Sequence, residues 1–452
     1  MQPLGFFCIG CGLAVPVKFT LYGKRNPNMG NSELQKFLRY RWIIFWVLSG
    51  GYILVYFHRL CPAVVAVDMM QDLKTGGMLT GLLSAAYFYP YAVMQLPAGL
   101  LSDSWGPRKT ITIFFLVASG GSVLLGVAPS AAWALVGRAL VGVGVAMLFV
   151  PTMKILAEWF RAGEFAVMTG ILMAVGGLGS LIAAAPLAWL SVWIGWRLSF
   201  VVVGAFTLVL AALVWMVVRD RPADLGWPSP AEHLQSKAEP IALLEGIRRV
   251  VGCRAFWPLA VWFFFDCAVF FSFGGLWGGP YLIQVHQLSK DQAARVLSML
   301  AVGMMVGSPL LSYVSNSVFR ARKPVLVLSS LITVGITALL AFRTAQVSPG
   351  MLVAMCFGLG VFSSAIVVIG FTANKELFPV QMAGTATGLV NLFPFAGGAV
   401  FQPVLGYLLE GEGRVDGAFT LAGYQQAFLA LFVCSLIALG AGCFVRETIR
   451  RN

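Results

Sequence analysis

The chain is short of charge. Only 11% of its 452 residues are Asp, Glu, Lys or Arg, and 59% are apolar, whereas an ordinary soluble domain carries about 25% charged residues. A soluble fold cannot hide that much apolar surface, so a lipid-embedded protein is the economical reading. Carboxylates are scarcest, at 18 against 31 Lys and Arg, which gives a net charge of +13. That excess does not indicate nucleic acid, because the cations lie between apolar runs and not among aromatics on one soluble domain. A disulfide framework is missing too. The eight cysteines include one C-x-x-C, Cys8 and Cys11, with no second pair or nearby histidine, and the other thiols read as buried and inert. There is no metal-ligand cluster, nucleophile elbow or P-loop, so an enzyme is not expected, nor a metal or cofactor.

Long polar segments are equally rare. A membrane span needs about 20 mostly apolar residues. Such stretches fall near 42–66, 79–101, 108–127, 131–152, 165–191, 198–218, 256–284, 294–315, 324–343, 349–372, 382–409 and 423–445, twelve in all. The longest soluble stretch, 219–255, is polar and proline-rich and reads as a linker between two six-span halves, 42–218 and 256–445. Residues 1–41 and 446–452 read as tails. Residues 3–17 are apolar but too short to span, and no cation precedes them as in a signal peptide. Met29 reads as a more natural start, with residues 1–28 an extension or disordered tail.

Lys and Arg set the orientation. The two tails and the even-to-odd connections hold 23 of them, the opposite side holds 6, and Arg59 and Arg138 fall within spans. Both termini are therefore expected in the cytoplasm, in a bacterial inner membrane. The halves also repeat: EWFRAGEFAVMTG at 158–170 and ELFPVQMAGTATG at 376–388 share Glu, Phe, Thr and Gly at an offset of 218. SYVSNSVFRARK at 312–323 stands opposite GLLSDSWGPRKT at 99–110, with Asn316 where the first copy has Asp103.

These features resemble the major facilitator superfamily. QLPAGLLSDSWGPRKT at 95–110 matches that family's loop signature at Gly99, Leu101, Asp103, Gly106, Arg108 and Lys109. LVGRALVGVGVA in span four resembles its R-x-x-x-G-x-G pattern through Arg138, Gly142 and Gly144. The resemblance covers about residues 40–447 and implies an all-α membrane protein, with twelve transmembrane helices in two pseudo-symmetric six-helix bundles, working as an alternating-access secondary transporter. The Gly-Pro pair usual in span five of drug-exporting antiporters is absent from TGILMAVGGLGSLIAAAP at 169–186. VYFHRLCPAVVA at 55–66 is similar to the Y-x-D-R segment of the anion:cation symporters, which move organic anions such as sugar acids with protons. Arg59 matches the arginine, and His58 replaces the aspartate.

An ionisable group at mid-membrane costs about 2.5–3.5 kcal/mol on insertion scales and marks a functional position. Arg59 shares a helical face with Tyr52 and Tyr56. Its planar fork suits a carboxylate or phosphate; the alternative is an arginine paired with backbone carbonyls or snorkelling outward. Arg138 has two readings, anion ligand or gate, and structural partner for carbonyls in a small-residue interface. His58 is a proton-coupling candidate, since a bound anion beside it favours its charged form. Asp266, in WFFFDCAVFF, either carries a proton or neutralises Arg59 or Arg138. Gln95, Asn391 and Gln402 are polar candidates for the cavity wall or for helix–helix contacts, and the aromatic runs of spans one, two and seven read as core or interface belts.

The loop at 95–110 reads as a gate. Gly99 permits close helix approach, Gly106 and Pro107 end the span, and Arg108 and Lys109 hold the loop on the positive side. Asp103 is expected to pair with Arg161 or another cation there, and Glu158 and Glu376 to join the same latch. The expected activity is proton-coupled transport of a small organic anion by a monomer in the bilayer. The alternatives are a drug or metabolite exporter and a non-transporting membrane sensor.

Overall fold

The computed structural model describes residues 31–228, 243–379 and 382–449. Residues 1–28 and the Cys8–Cys11 pair lie outside them. The chain divides into two compact units, residues 1–42 and 43–452. The first contributes, among the described residues, only the opening turns of helix α1 (Asn31–Leu60). The second holds α2 (Pro62–Leu73), α3 (Gly77–Ala85), α4 (Phe88–Ser104), α5 (Pro107–Val127), α6 (Ala131–Ala146), α7 (Phe149–Trp159), α8 (Ala162–Ile182) and α9 (Ala185–Val217). Then follow α10 (Leu243–Gly252), α11 (Phe256–Ser272), α12 (Gly278–Gln284), α13 (Lys290–Tyr313), α14 (Lys323–Phe342) and α15 (Pro349–Leu359). The series ends with α16 (Val367–Leu377), α17 (Ala383–Val390), α18 (Leu392–Gly411) and α19 (Leu421–Phe444). A two-residue hairpin pairs Arg414–Val415 with Ala418–Phe419 before α19.

Ten helices among the described residues are long and apolar enough to cross a membrane. One of them, Val167–Val217, has 51 residues. At 1.5 Å per residue it measures about 77 Å, more than twice a bilayer core. Gly195, with φ 79° and ψ 158°, breaks it, so we read two passes there. A further pass is divided between α3 and α4 by the turn at Ala86 and Tyr87. With these, each of the twelve expected spans has its helix or helix pair. The protein is an integral, multi-pass membrane protein.

Several passes are interrupted near their middles, and proline explains the first. Pro62 has no N–H for the carbonyl four residues back, His58, so the helix breaks at Cys61. In the second half, wide π turns occupy 273–277, 314–318 and 360–365, the kind of local distortion that collects at functional positions. On the face of the 73–77 turn, α3 packs along α18 and α2 along α12, which joins the two halves of the sequence. Residues 275–282, GLWGGPYL, run from the buried π turn at 273–277 into α12, continuous in helical backbone. Gly279 lets α12 close on α2, because a Cβ there would collide with the carbonyl oxygen of Ala63.

Candidate substrate site

Arg59 sits at the end of α1, one turn before the Pro62 break. Its side chain is buried, and one terminal nitrogen donates to the Tyr91 hydroxyl at 2.7 Å. The guanidinium carbon lies 4.7 Å from the ring centre of Tyr56 and 5.0 Å from those of Tyr91 and Phe395. Rings from α1, α4 and α18 thus frame one cation. Desolvated cation–π contacts are worth about 2 kcal/mol, which offsets part of the cost of burying the charge. No carboxylate partners Arg59 among the described residues, and its Nε has no acceptor. Tyr52 meets Tyr56 edge to face at 5.4 Å, and its hydroxyl donates to the Met173 sulfur at 3.4 Å.

Arg138 comes from α6. Both terminal nitrogens donate to the His58 carbonyl oxygen at 3.2 Å, the acceptor that Pro62 leaves without its helical donor. Gly142, one turn on, lets α6 reach this point: a Cβ there would collide with the carbonyl oxygen of Tyr87. Beside Arg138 and Pro62 lies a void of about 10 Å³, room for at most one water. The His58 ring is fully buried with neither nitrogen hydrogen-bonded.

Asp266 is buried on α11. The Ser363 hydroxyl, in the π turn at 360–365, lies 3.1 Å from its carbonyl oxygen and 3.3 Å from Oδ2, and Oδ1 has no partner. No ion pair joins Asp266 to Arg59 or Arg138 among the described residues: one Arg59 nitrogen donates to the Tyr91 hydroxyl, and the two terminal nitrogens of Arg138 donate to the His58 carbonyl. Gln402 donates to the Phe271 carbonyl at 2.8 Å and acts as a helix–helix contact. Gln95 is buried with its amide nitrogen unpaired, and Asn391 is half-buried at the junction of α17 and α18.

The model of one protein family, the Major Facilitator Superfamily, matches residues 48–401 and 268–451. The chain belongs to that superfamily. It is similar to the hexuronate transporter of Bacillus subtilis, at 24% identity over 87% of this chain and 94% of the relative. It is similar also to the hexuronate transporter of Escherichia coli K12, at 23% identity over 93% of this chain and 96% of the relative. Among solved structures, a bacterial homologue of the human lysosomal transporter Spinster, in an inward-facing and occupied conformation, shares the fold with a TM-score of 0.73 at 21% identity, covering 90% of this chain and 97% of that one. This facilitator is thus not an enzyme.

The superfamily loop has the following geometry here. Asp103 pairs with Lys154 at 2.6 Å, and not with Arg161. The Arg161 backbone N–H donates to Glu164, which anchors the start of α8. Gly106, at φ 85°, is required, since a side chain there would strike the Asp220 carboxylate. Asp220 accepts the Arg108 backbone N–H at 2.6 Å and caps α5. Its half-burial pushes its pKa up, against the pull of that N–H. The Arg108 side chain leaves the loop, donating to the Trp215 carbonyl and lying 4.3 Å over that ring, and Lys109 is exposed. Gly99 is a correction: a Cβ there would meet nothing within 4 Å, so close helix approach is not its reason.

The second copy of the loop uses the same design with different residues. Arg322 holds Glu376 through two nitrogens, at 2.9 and 3.3 Å, and Asn316 accepts from it at 2.6 Å. Glu447, just past α19, accepts the backbone N–H groups of Arg322 and Lys323 and caps α14. On the opposite face, Lys290 of α13 pairs with Asp68 of α2, and Glu410 accepts the Met78 N–H at the start of α3.

Sequence reasoning overlooked Tyr91, Phe395 and the Asp68–Lys290 pair. For Tyr91 a signal existed: Tyr87 and Tyr91 in YFYPY stand four apart on one helical face, and span two was read only as a belt. Phe395 and Lys290 carry no local signal, because their partners lie 336 and 222 positions away in sequence.

Proposed function

We propose that this facilitator is a secondary active transporter moving a small organic anion, a carboxylate or sugar acid, by alternating access and together with protons. Arg59 carries the reading. It is a buried guanidinium framed by Tyr56, Tyr91 and Phe395, with no carboxylate of its own among the described residues. A planar fork in a low-dielectric site binds a carboxylate strongly and with defined geometry. The similarity to two hexuronate transporters supports the same substrate class. In this reading Tyr52, Gln95 and Asn391 line the approach, while Arg138 positions Arg59 through the His58 carbonyl.

His58 and Asp266 are the proton carriers of the proposal. Each is buried and leaves polar atoms without partners, so each can gain a proton without breaking an existing bond. An anion arriving at Arg59 favours the protonated state of groups near it, which ties proton uptake to substrate uptake. Asp103–Lys154 and Arg322–Glu376 serve as latches on one face, with Glu158 and Arg161 as further members, and Asp68–Lys290 serves on the other. The Lys/Arg-rich face is the cytoplasmic one and carries both termini, in a bacterial inner membrane, and the working unit is the monomer.

Uptake into proteoliposomes tests the reading. Glucuronate and glucarate should accumulate saturably under an inwardly directed proton gradient, with little uptake of glucose. Arg59→Gln should abolish that uptake. Equal transport of glucose, or transport indifferent to Arg59→Gln, overturns the assignment.

A further inference from the structure

Away from the transport path, an open-sided groove of about 470 Å³ runs between the first turns of α11 and the last turns of α19. Arg254, Trp257, Pro258, Val261, Ala441 and Phe444 line it. The size falls within the range of small-ligand sites, about 300–1,000 Å³. All of the lining but Arg254 is apolar apart from one indole N–H, and that group is already spent on the Val251 carbonyl at 2.9 Å. Phe444 is 79% exposed and Trp257 43% exposed. These helix ends lie where a span leaves the lipid, so the groove opens sideways to acyl chains and endwise to headgroups.

Among the described residues, the groove's mouth carries a cation that no carboxylate holds. Arg322 is held by Glu376, Arg249 by Glu245 and Lys154 by Asp103. Arg254, at the groove's mouth, is exposed and has no hydrogen bond or ion pair among the described residues. Neither does Arg446, two residues past Phe444. The adjacent Glu447 turns its carboxylate to the backbone N–H groups at the start of α14 and makes no ion pair with Arg446. A cation left without a counter-charge at the end of an apolar groove, with a Trp at interfacial depth, matches an amphiphile carrying an anionic head.

We propose that this groove binds an anionic glycerophospholipid, with its phosphate on Arg254, aided by Arg446, and one acyl chain along Trp257, Val261, Ala441 and Phe444. The site is independent of the Arg59 reading. Its headgroup preference rests on charge and its retention on the apolar wall. Neither part alone is enough: a free phosphate gains nothing from the wall, and a zwitterionic lipid places its own cation beside the two arginines.

Native mass spectrometry of the full-length protein in detergent, titrated with dioleoyl phosphatidylglycerol or dioleoyl phosphatidylcholine, tests this. Phosphatidylglycerol should be retained more tightly. Arg254→Gln and Arg446→Gln should each weaken it by about fivefold, the value of one arginine near an anionic headgroup. Phe444→Ser should weaken both lipids, and excess glycerol 3-phosphate should displace neither. Equal retention of the two lipids overturns the proposal. So does phosphatidylglycerol binding unchanged in Arg254→Gln with Arg446→Gln, or its displacement by glycerol 3-phosphate.

Discussion

Arg138 gives both of its terminal nitrogens to the carbonyl oxygen of His58, at 3.2 Å each. That oxygen is the one Pro62 strips of its helical donor, so an arginine of the fourth span repairs a break that a proline makes in the first. The break matters because Arg59 follows His58 directly. The residue whose guanidinium faces the aromatic frame thus follows directly on a carbonyl held by a second guanidinium, which also donates to the Cys61 thiol and lies 5.3 Å from the Tyr87 ring centre.

This arrangement makes a rescue measurable. Arg138→Met leaves a buried carbonyl with only the weak Cys61 thiol, and an unsatisfied buried acceptor costs about 1–3 kcal/mol. Thermal stability should fall. Adding Pro62→Ala restores an N–H four residues after His58, so stability should recover while transport stays low, because the bend that presents Arg59 is gone. Strictly additive effects in the double-mutant cycle would remove the link between the two residues.

Tyr91→Phe deletes the hydroxyl that accepts from Arg59 and keeps the ring. A hydrogen bond to a charged group is worth about 1.5–3 kcal/mol, so thermal stability should fall, and anion affinity should drop severalfold because the fork loses the partner that orients it. Isothermal titration with glucuronate reads this directly. An affinity within twofold of wild type would place the frame outside the binding site.

The Lys290–Asp68 pair and the close approach of Gly279 to Ala63 join the two halves on one face, the face that the proposed alternating access has to open. Asp68→Asn removes a half-exposed pair worth up to about 1 kcal/mol, a shift of about fivefold toward the state open on that face. Gly279→Ala should shift it further, since its Cβ meets backbone that cannot move aside. Maleimide labelling of Thr75→Cys is the readout, and labelling should speed up in both variants. No change in Gly279→Ala would show that this contact does not gate.

Glu447 gives the pH dependence. Burial by itself raises its pKa, but the N–H groups of Arg322, Ile449, Lys323 and Thr448 outweigh it and hold the carboxyl below its usual range. A carboxyl so lowered stabilises the fold when ionised. Its contribution is complete above the ordinary carboxylate range and is lost as pH falls through the lowered value. Glu447→Gln should therefore lower Tm at pH 7, and the gap to wild type should close in acid. A gap independent of pH would rule out the ionised cap.

Much of this architecture is local and therefore legible in the chain. Runs such as ITIFFLVAS need only their own composition to be spans, because lipid leaves a backbone no partner but itself. Gly106 and Pro107 announce their turn, and Arg59, Tyr52 and Tyr56 share a face by helical spacing alone. The surplus of intramembrane arginine over aspartate also needs no coordinates. What composition cannot decide is which long-range partner each buried group takes. That Arg138 reaches the His58 carbonyl is visible only when α6 is docked on the Pro62 break. Asp266 faces Ser363, and not an arginine, because a π turn brings residue 363 to it. Gly99 and Gly106 look equally necessary in the loop signature, yet only Gly106 has a positive φ and a carboxylate against it. The one-dimensional pattern determined membrane, spans and charge; packing determined which charges take a carboxylate partner and which are left framed by rings and backbone, because those partners lie far apart in sequence.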